Sequence, residues 1–130
     1  MWWCPVGVDP APYSFIIPTL NEAERIAALL TELRGQFPCA ELVVVDGGSV
    51  DATVAQAEPL CDQLLLADPG RARQMNAGMA AASGKYLFFL HADSTLLINA
   101  RTLDSCLESS PQWGFCRVRL SGDEWIYRLI

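Results

Sequence analysis

Four short apolar runs punctuate this sequence, and each stops abruptly at polar residues or at proline and glycine. Ser14-Phe15-Ile16-Ile17 closes at Pro18, and Glu41 to Val45 (ELVVV) breaks into Asp46-Gly47-Gly48-Ser49. Gln63 to Ala67 ends in Asp68-Pro69-Gly70, and Tyr86 to Leu90 ends in His91-Ala92-Asp93. Runs this short and this apolar read as strands buried on both faces. The intervening segments have helical spacing. Asn21 is expected as an N-cap with Glu24 completing a capping box, followed by Ile26, Leu29, Leu30 and Leu33, with Gly35 as the stop. A short helix is expected from about Asp51 to just before Pro59, and an alanine-rich one from Arg71 to Ser83 with Gly84 as its C′ residue.

Strand alternating with helix is the pattern of a parallel sheet with right-handed crossovers. In such sheets ligands bind beyond the carboxyl ends of the strands. Parallel topology alone would therefore bring Thr19-Leu20-Asn21-Glu22, Asp46-Gly47-Gly48, Asp68 and His91-Ala92-Asp93 to one edge. Beyond this core, a helix is expected from about Asn99 to Glu108, an alternating strand over Phe115 to Leu120, and a further helix from Asp123.

Composition narrows the function. At 130 residues, 52% hydrophobic and 18% charged, the chain suits one folded domain, with 1–13 as an N-terminal extension. A formal net charge of −6 argues against a nucleic-acid partner. No apolar run approaches the roughly 20 residues of a membrane span, and no basic segment with a long apolar run marks a signal peptide. Five cysteines without a C-x-x-C pair suit reduced thiols in a cytoplasmic protein.

Each strand end carries side chains with two readings. Asp93 suits a divalent cation bridging two phosphates, or a turn. His91, the only histidine, suits a ribose hydroxyl or a metal, or hydrogen bonds among its neighbours. Asp46 suits the N–H of a nucleobase, with Gly47 and Gly48 allowing close backbone approach, or a strand-to-helix turn that happens to be acidic. Arg71 and Arg73 stand at the start of a helix, where the dipole already favours anions. They suit a diphosphate, or a surface pair answering Asp68.

Taken in order, SFIIPTLNEAERI, ELVVVDGGSVDAT and GRARQMNAGMAAASGKYLFFLHADS resemble the family 2 glycosyltransferases with the GT-A fold. The HADS and GRARQMNAG strings are most similar to the subfamily associated with radical-SAM and selenocysteine domains. The resemblance implies a Rossmann-like nucleotide-sugar-binding α/β fold, mostly parallel, with helices flanking the sheet. It implies transfer of a sugar from a nucleotide-diphosphate sugar, typically of uridine, to an acceptor hydroxyl, with Mn2+ or Mg2+ and inversion. On that reading Pro18, Thr19, Asn21 and Glu22 line the nucleoside site, and Asp46 with Gly47 faces the base. Arg71 and Arg73 lie near the diphosphate, His91 near the ribose, and Asp93 holds the metal. The chain departs from the family in His91, which stands where the first acid of D-x-D is usual. It is also shorter than most members, so the acceptor-binding part is expected to be largely absent. No general base is assigned, since Asp123 and Glu124 match the family position poorly. Trp125, Ile126, Leu129 and Ile130 suit self-association. Alternatives are a nucleotide-sugar-binding module without catalysis, or a sugar-phosphate nucleotidyltransferase. The latter would want a basic, glycine-rich loop where this chain has PTLNEAER.

Overall fold

A computed structural model of the chain describes residues 12–114. The elements run β1 (Tyr13–Thr19), α1 (Ile26–Gln36), β2 (Glu41–Asp46), α2 (Thr53–Ala57), β3 (Gln63–Leu66), α3 (Arg71–Ala81), β4 (Tyr86–Phe89) and α4 (Ala100–Leu107). All four strands are parallel, in the order β3-β2-β1-β4. The α/β fold expected from the alternating pattern is the one observed. The strand Phe115 to Leu120 and the helix from Asp123 lie outside the described residues. Contacts divide the chain into two units, the first ending at Ala100 and the second beginning at Arg101.

The order 3-2-1-4 has a consequence for the site. From β1 the chain steps to β2 and β3 on one side, then crosses back to β4 on the other. The β1/β4 boundary is therefore the topological switch point, where the crossovers diverge and leave a crevice at the carboxyl edge. Register places Thr19 opposite Asp46 and Asp46 opposite Leu66. β4 pairs with β1 only as far as Ile16 opposite Phe89.

That early end of β4 explains how β1 accommodates a proline. The strand does not close at Pro18 as expected but continues through it to Thr19. Ile16 O accepts from Leu90 N at 3.0 Å, so Ile16 and Pro18, two residues apart, face the β4 side. Ladder pairing with β4 has already stopped there, and the donor Pro18 lacks is not needed.

Both faces of the central strands β1 and β2 are covered, whereas β3 and β4 at the edges are only partly buried and leave Leu66 and Phe89 exposed, so the expectation of burial on both faces holds for the central pair alone. Ile16, Val43 and Val45 pack with Leu65, Ala77 and Ala82 on the α3 side. On the other face Tyr13, Phe15, Phe37 and Phe88 form edge-on and tilted aromatic pairs at 5.1–6.0 Å between centroids. There α1 contributes its buried stripe of Ile26, Leu29, Leu30 and Leu33.

Three expected helix ends differ. α1 begins at Ile26, with Arg25 as an N-cap lacking a side-chain bond, so the Asn21/Glu24 capping box does not form. Its last residue is Gln36, one past Gly35. α3 ends at Ala81, and Gly84 is not its C′ residue. Gly84 is required instead by close packing, since a Cβ there would lie 2.6 Å from the Ser14 backbone nitrogen.

The amino edge is laced by one carboxylate. Glu41 Oε2 accepts from Ser14 Oγ at 2.5 Å and from Ser83 N at 2.8 Å, while Oε1 accepts from Gln63 Nε2 at 2.7 Å. Partial burial works to raise the Glu41 pKa, but the bonds from Ser14, Ser83 and Gln63 outweigh it and hold the carboxyl below its ordinary value. Because the folded state favours the ionised form, this stabilisation is fully present above the unfolded-state value. It is lost as pH falls through the lower folded value. Urea unfolding from neutral pH down to about 3 should show stability falling in wild type, and falling less steeply in Glu41→Gln.

Candidate active site at the carboxyl edge of the sheet

At the opposite edge a second carboxylate, the last residue of the same strand, organises the loops. Asp46 is 1% exposed. Its Oδ1 accepts from Thr19 Oγ1 at 3.0 Å and Ser49 Oγ at 2.5 Å, and its Oδ2 accepts from Gly48 N at 3.0 Å and Ser49 N at 2.7 Å. Gly48 takes φ +97° in this turn, a value that favours glycine. Asp46 is the residue expected to face a nucleobase. Its carboxylate is turned into its own loop and saturated with donors. Thr19, 2% exposed, likewise spends its hydroxyl on Asp46.

The β1–α1 loop is clasped to the β2–α2 loop. Asn21 sits at φ +55°, a left-handed conformation that asparagine tolerates. Its N–H donates to Ser49 Oγ at 2.8 Å and its Oδ1 accepts from Val50 N at 2.9 Å. Glu22 N donates to Thr53 Oγ1 at 2.8 Å, and Ala23 N to Asp51 Oδ2 at 3.2 Å. Asp51 also takes the Thr53 hydroxyl, and this bond leads in holding its carboxyl below the usual value. The Glu22 carboxylate lies 3.4 Å from Arg25. Asn21 thus serves the loop rather than a helix cap.

A third tie comes from α3. Gln74, 4% exposed, donates from Nε2 to Thr19 O at 2.8 Å and to Val45 O at 2.9 Å. Its Oε1 accepts from Gly70 N at 3.3 Å. Gly47 packs against this amide, and a Cβ at Gly47 would lie 2.9 Å from Gln74 Cδ. Gln74 was not among the expected site residues. The available signal was a long polar side chain on the same helical stripe as Gly70 and Gly78, in a helix otherwise rich in alanine.

The remaining expected residues differ in exposure. Arg71 and Arg73 are exposed in the first turn of α3, and neither forms an ion pair among the described residues, so the surface pair with Asp68 is not formed. His91 is half-buried and Asp93 exposed, with Ala92 buried between them and Ser94 N donating to His91 O at 3.0 Å. Pro18 and Gly47 are buried beneath the loops. The edge thus joins a hydrogen-bonded floor to the two guanidinium groups of Arg71 and Arg73, which form no ion pair among the described residues, and to the exposed carboxylate of Asp93, with those of Asp51 and Asp68 also exposed. That set can bind an anion and share a cation with it.

Among the described residues no group of three or more His, Cys, Asp or Glu side chains is arranged to hold a metal ion. The donor set at Asp93 fits a hard cation that takes its other ligands from phosphate oxygens and water, and does not fit an all-protein cage. A separate open cleft, lined by Leu30, Thr31, Arg34, Leu60, Cys61 and Asp62, contains none of the expected site residues. There Asp62 Oδ2 holds Arg34 at 2.6 Å and Leu42 N at 2.7 Å, and burial pushes the Cys61 thiol up, away from nucleophilic chemistry. No helix among the described residues is long and apolar enough to cross a membrane.

An open parallel sheet with its polar groups gathered at the carboxyl switch point defines the class of α/β proteins that take up ligands at this crevice. Residues 14–109 match the family Glycosyl transferase family 2, and the chain belongs to that family. It is similar to a PGL/p-HBAD biosynthesis glycosyltransferase of Mycobacterium tuberculosis, 41% identical over 93 residues, covering 65% of this chain and 36% of the relative. It is also similar to the polyprenol monophosphomannose synthase of Mycolicibacterium smegmatis, 41% identical over 86 residues, covering 58% of this chain and 31% of the relative. The chain thus spans about a third of the length of these curated relatives. Among solved structures, TarS of S. aureus in complex with UDP-GlcNAc shares a TM-score of 0.59 at 28% identity, covering 72% of this chain and 29% of that one. Glucosyl-3-phosphoglycerate synthase of Mycobacterium tuberculosis, in complex with Mn2+, UDP and glucosyl-3-phosphoglycerate, shares the fold with a TM-score of 0.58 at 22% identity, covering 72% of this chain and 40% of that one.

Proposed function

We propose that this chain carries the donor site of a glycosyltransferase that moves a sugar from a nucleotide-diphosphate sugar, a uridine one, to an acceptor hydroxyl with inversion. The observation that carries the reading is the parallel sheet. It sets the Thr19–Glu22 loop, the Arg71/Arg73 turn and the His91–Asp93 segment at one edge. Membership of the family supports the chemistry, as do the UDP and UDP-GlcNAc complexes of the structural neighbours. The HADS and GRARQMNAG strings place the chain, on this reading, with the radical-SAM-associated subfamily.

The roles follow from charge and exposure. Asp93 would hold a divalent cation, which when bound neutralises charge on the diphosphate. Arg71 and Arg73 would meet the diphosphate oxygens and stabilise the leaving group as it departs. His91 would reach the ribose. The clasp around Asp46 and Asn21 would hold the nucleoside-facing loop in one conformation, so that little ordering accompanies binding. Because His91 replaces an acid, the site carries one fewer negative charge, and cation affinity should depend strongly on bound nucleotide. The general base is not assigned, and Asp123 and Glu124 lie outside the described residues. A cytoplasmic location and self-association through Trp125, Ile126, Leu129 and Ile130 belong to the same reading.

The test is calorimetric titration of UDP with and without manganese. Wild type should bind UDP more tightly with the metal. Asp93→Ala should lose the metal-dependent gain, on the order of tenfold or more, and keep its metal-free affinity. An Asp93→Ala variant with undiminished metal-dependent affinity removes Asp93 from the site. Slow, metal-dependent release of UDP from a UDP-sugar supports transfer chemistry, while binding without release leaves a nucleotide-binding module.

A further inference from the structure

We propose that Gln74 is a positioning residue for the diphosphate, holding the Arg71/Arg73 turn in fixed register with the carboxyl ends of β1 and β2. The inference rests on the reading of this edge as a nucleotide-diphosphate site. It concerns a residue that would not itself touch ligand, since all its amide groups are already used.

The geometry is a three-way bracket. One nitrogen serves two strands, bonding Thr19 O at 2.8 Å and Val45 O at 2.9 Å. The oxygen of the same amide accepts from Gly70 N at 3.3 Å, while Gln74 N donates to Gly70 O at 2.9 Å. Gly70 is thus gripped from both its backbone groups by one residue. It is the N-cap of α3, with φ at +142°, and Arg71 follows it directly. The entry turn is otherwise weakly held, for α3 has no side-chain N-cap bond and Arg71 and Arg73 are exposed. Gly47 completes the bracket from the other side, because its missing side chain leaves the space the Gln74 amide fills. Two strand ends and the cationic turn therefore move as one body. An arginine placed this way meets an anion with little loss of freedom, and a displacement of about 1 Å would weaken that contact sharply.

A residue that merely supports the fold and one that aims the arginines differ in what they do to different ligands. Gln74→Met keeps length and volume but removes every amide bond. Calorimetry with manganese should show it lowering affinity for UDP roughly tenfold, the scale of one charge-assisted contact, with uridine affinity unchanged. In an Arg71→Ala/Arg73→Ala background the same substitution should cost UDP affinity nothing further. Equal losses for UDP and uridine, or a full additional loss in the arginine-free background, would overturn the proposal. If Gln74→Met does not fold, the wild-type side-chain amide resonances of Gln74 decide the matter. They should be protected from exchange and rigid without ligand and stay so with UDP, and a Gln74 amide that is mobile until UDP binds overturns the proposal. Wild type failing to bind UDP at all is a different result, which brings down the nucleotide-site reading and this inference with it.

Discussion

Asp46→Ala should destabilise the protein by about 3 kcal/mol or more, the largest effect expected of any single polar substitution here. The carboxylate is buried and accepts four hydrogen bonds, two of them from the backbone of the Gly48-Ser49 turn. Alanine would leave these donors facing a void that water can only partly reach. Thr19 Oγ1 retains a long alternative at 3.5 Å to Val45 O, so its loss is the smallest of the four. The two turn amides have no such recourse. Asp46→Asn keeps one acceptor oxygen but sets an NH2 group against N–H or O–H donors, so about 1–2 kcal/mol should be lost. Urea unfolding checks both, with a thermal midpoint for Asp46→Ala lower by about 10 °C or more. A loss below about 1 kcal/mol for Asp46→Ala would show that the turn does not depend on the carboxylate.

Gly78→Ala should destabilise by about 2 kcal/mol, although alanine is by far the better helix former. Gly78 lies inside α3, where its lack of side chain lets the helix settle against the sheet. An added Cβ would lie 2.4 Å from Ile16 Cγ2 and 3.0 Å from Val45 Cγ2. Both neighbours are 0% exposed and β-branched, with stiff side chains in a covered sheet, and neither can step aside. The helix would have to lift, carrying the Arg71/Arg73 turn with it, so UDP affinity should fall along with stability. Gly35 provides the opposite case. It also lies inside a helix, yet nothing stands within 4 Å of a Cβ built there. Gly35→Ala should therefore stabilise by roughly 0.5–1 kcal/mol. Equal signs for the two substitutions in chemical denaturation would refute the packing argument.

Much of the frame was legible from residue pattern. Val43-Val44-Val45 and Phe15-Ile16-Ile17 are apolar without alternation, as strands covered on both sides must be. Parallel topology then gathered their ends at one edge. Side-chain direction at those ends was not legible. Asp46 follows Val44 by two residues and shares its face, but in a sheet covered on both faces that parity does not say whether the final residue meets solvent or a loop. Asn21 and Glu24 have the spacing of a capping box, yet the three residues after Glu22 form turns before α1 begins. What overrode the local signal was tertiary: Ser49, Val50, Asp51 and Thr53 supply partners to this loop from about 30 residues away. Gln74 escaped for the same reason, since both strand carbonyls it binds are remote in sequence.

That the strand ends form a single nucleotide pocket is tested most directly by paramagnetic broadening with manganese and UDP on isotope-labelled protein. Amide signals of Asn21, Gly48, Arg71 and Asp93 should weaken together on titration, while those of Leu42, Ser83 and Gly84 at the amino edge stay sharp. Broadening centred on the amino edge, or UDP bound with Arg71 and Asp93 both untouched, would contradict the account.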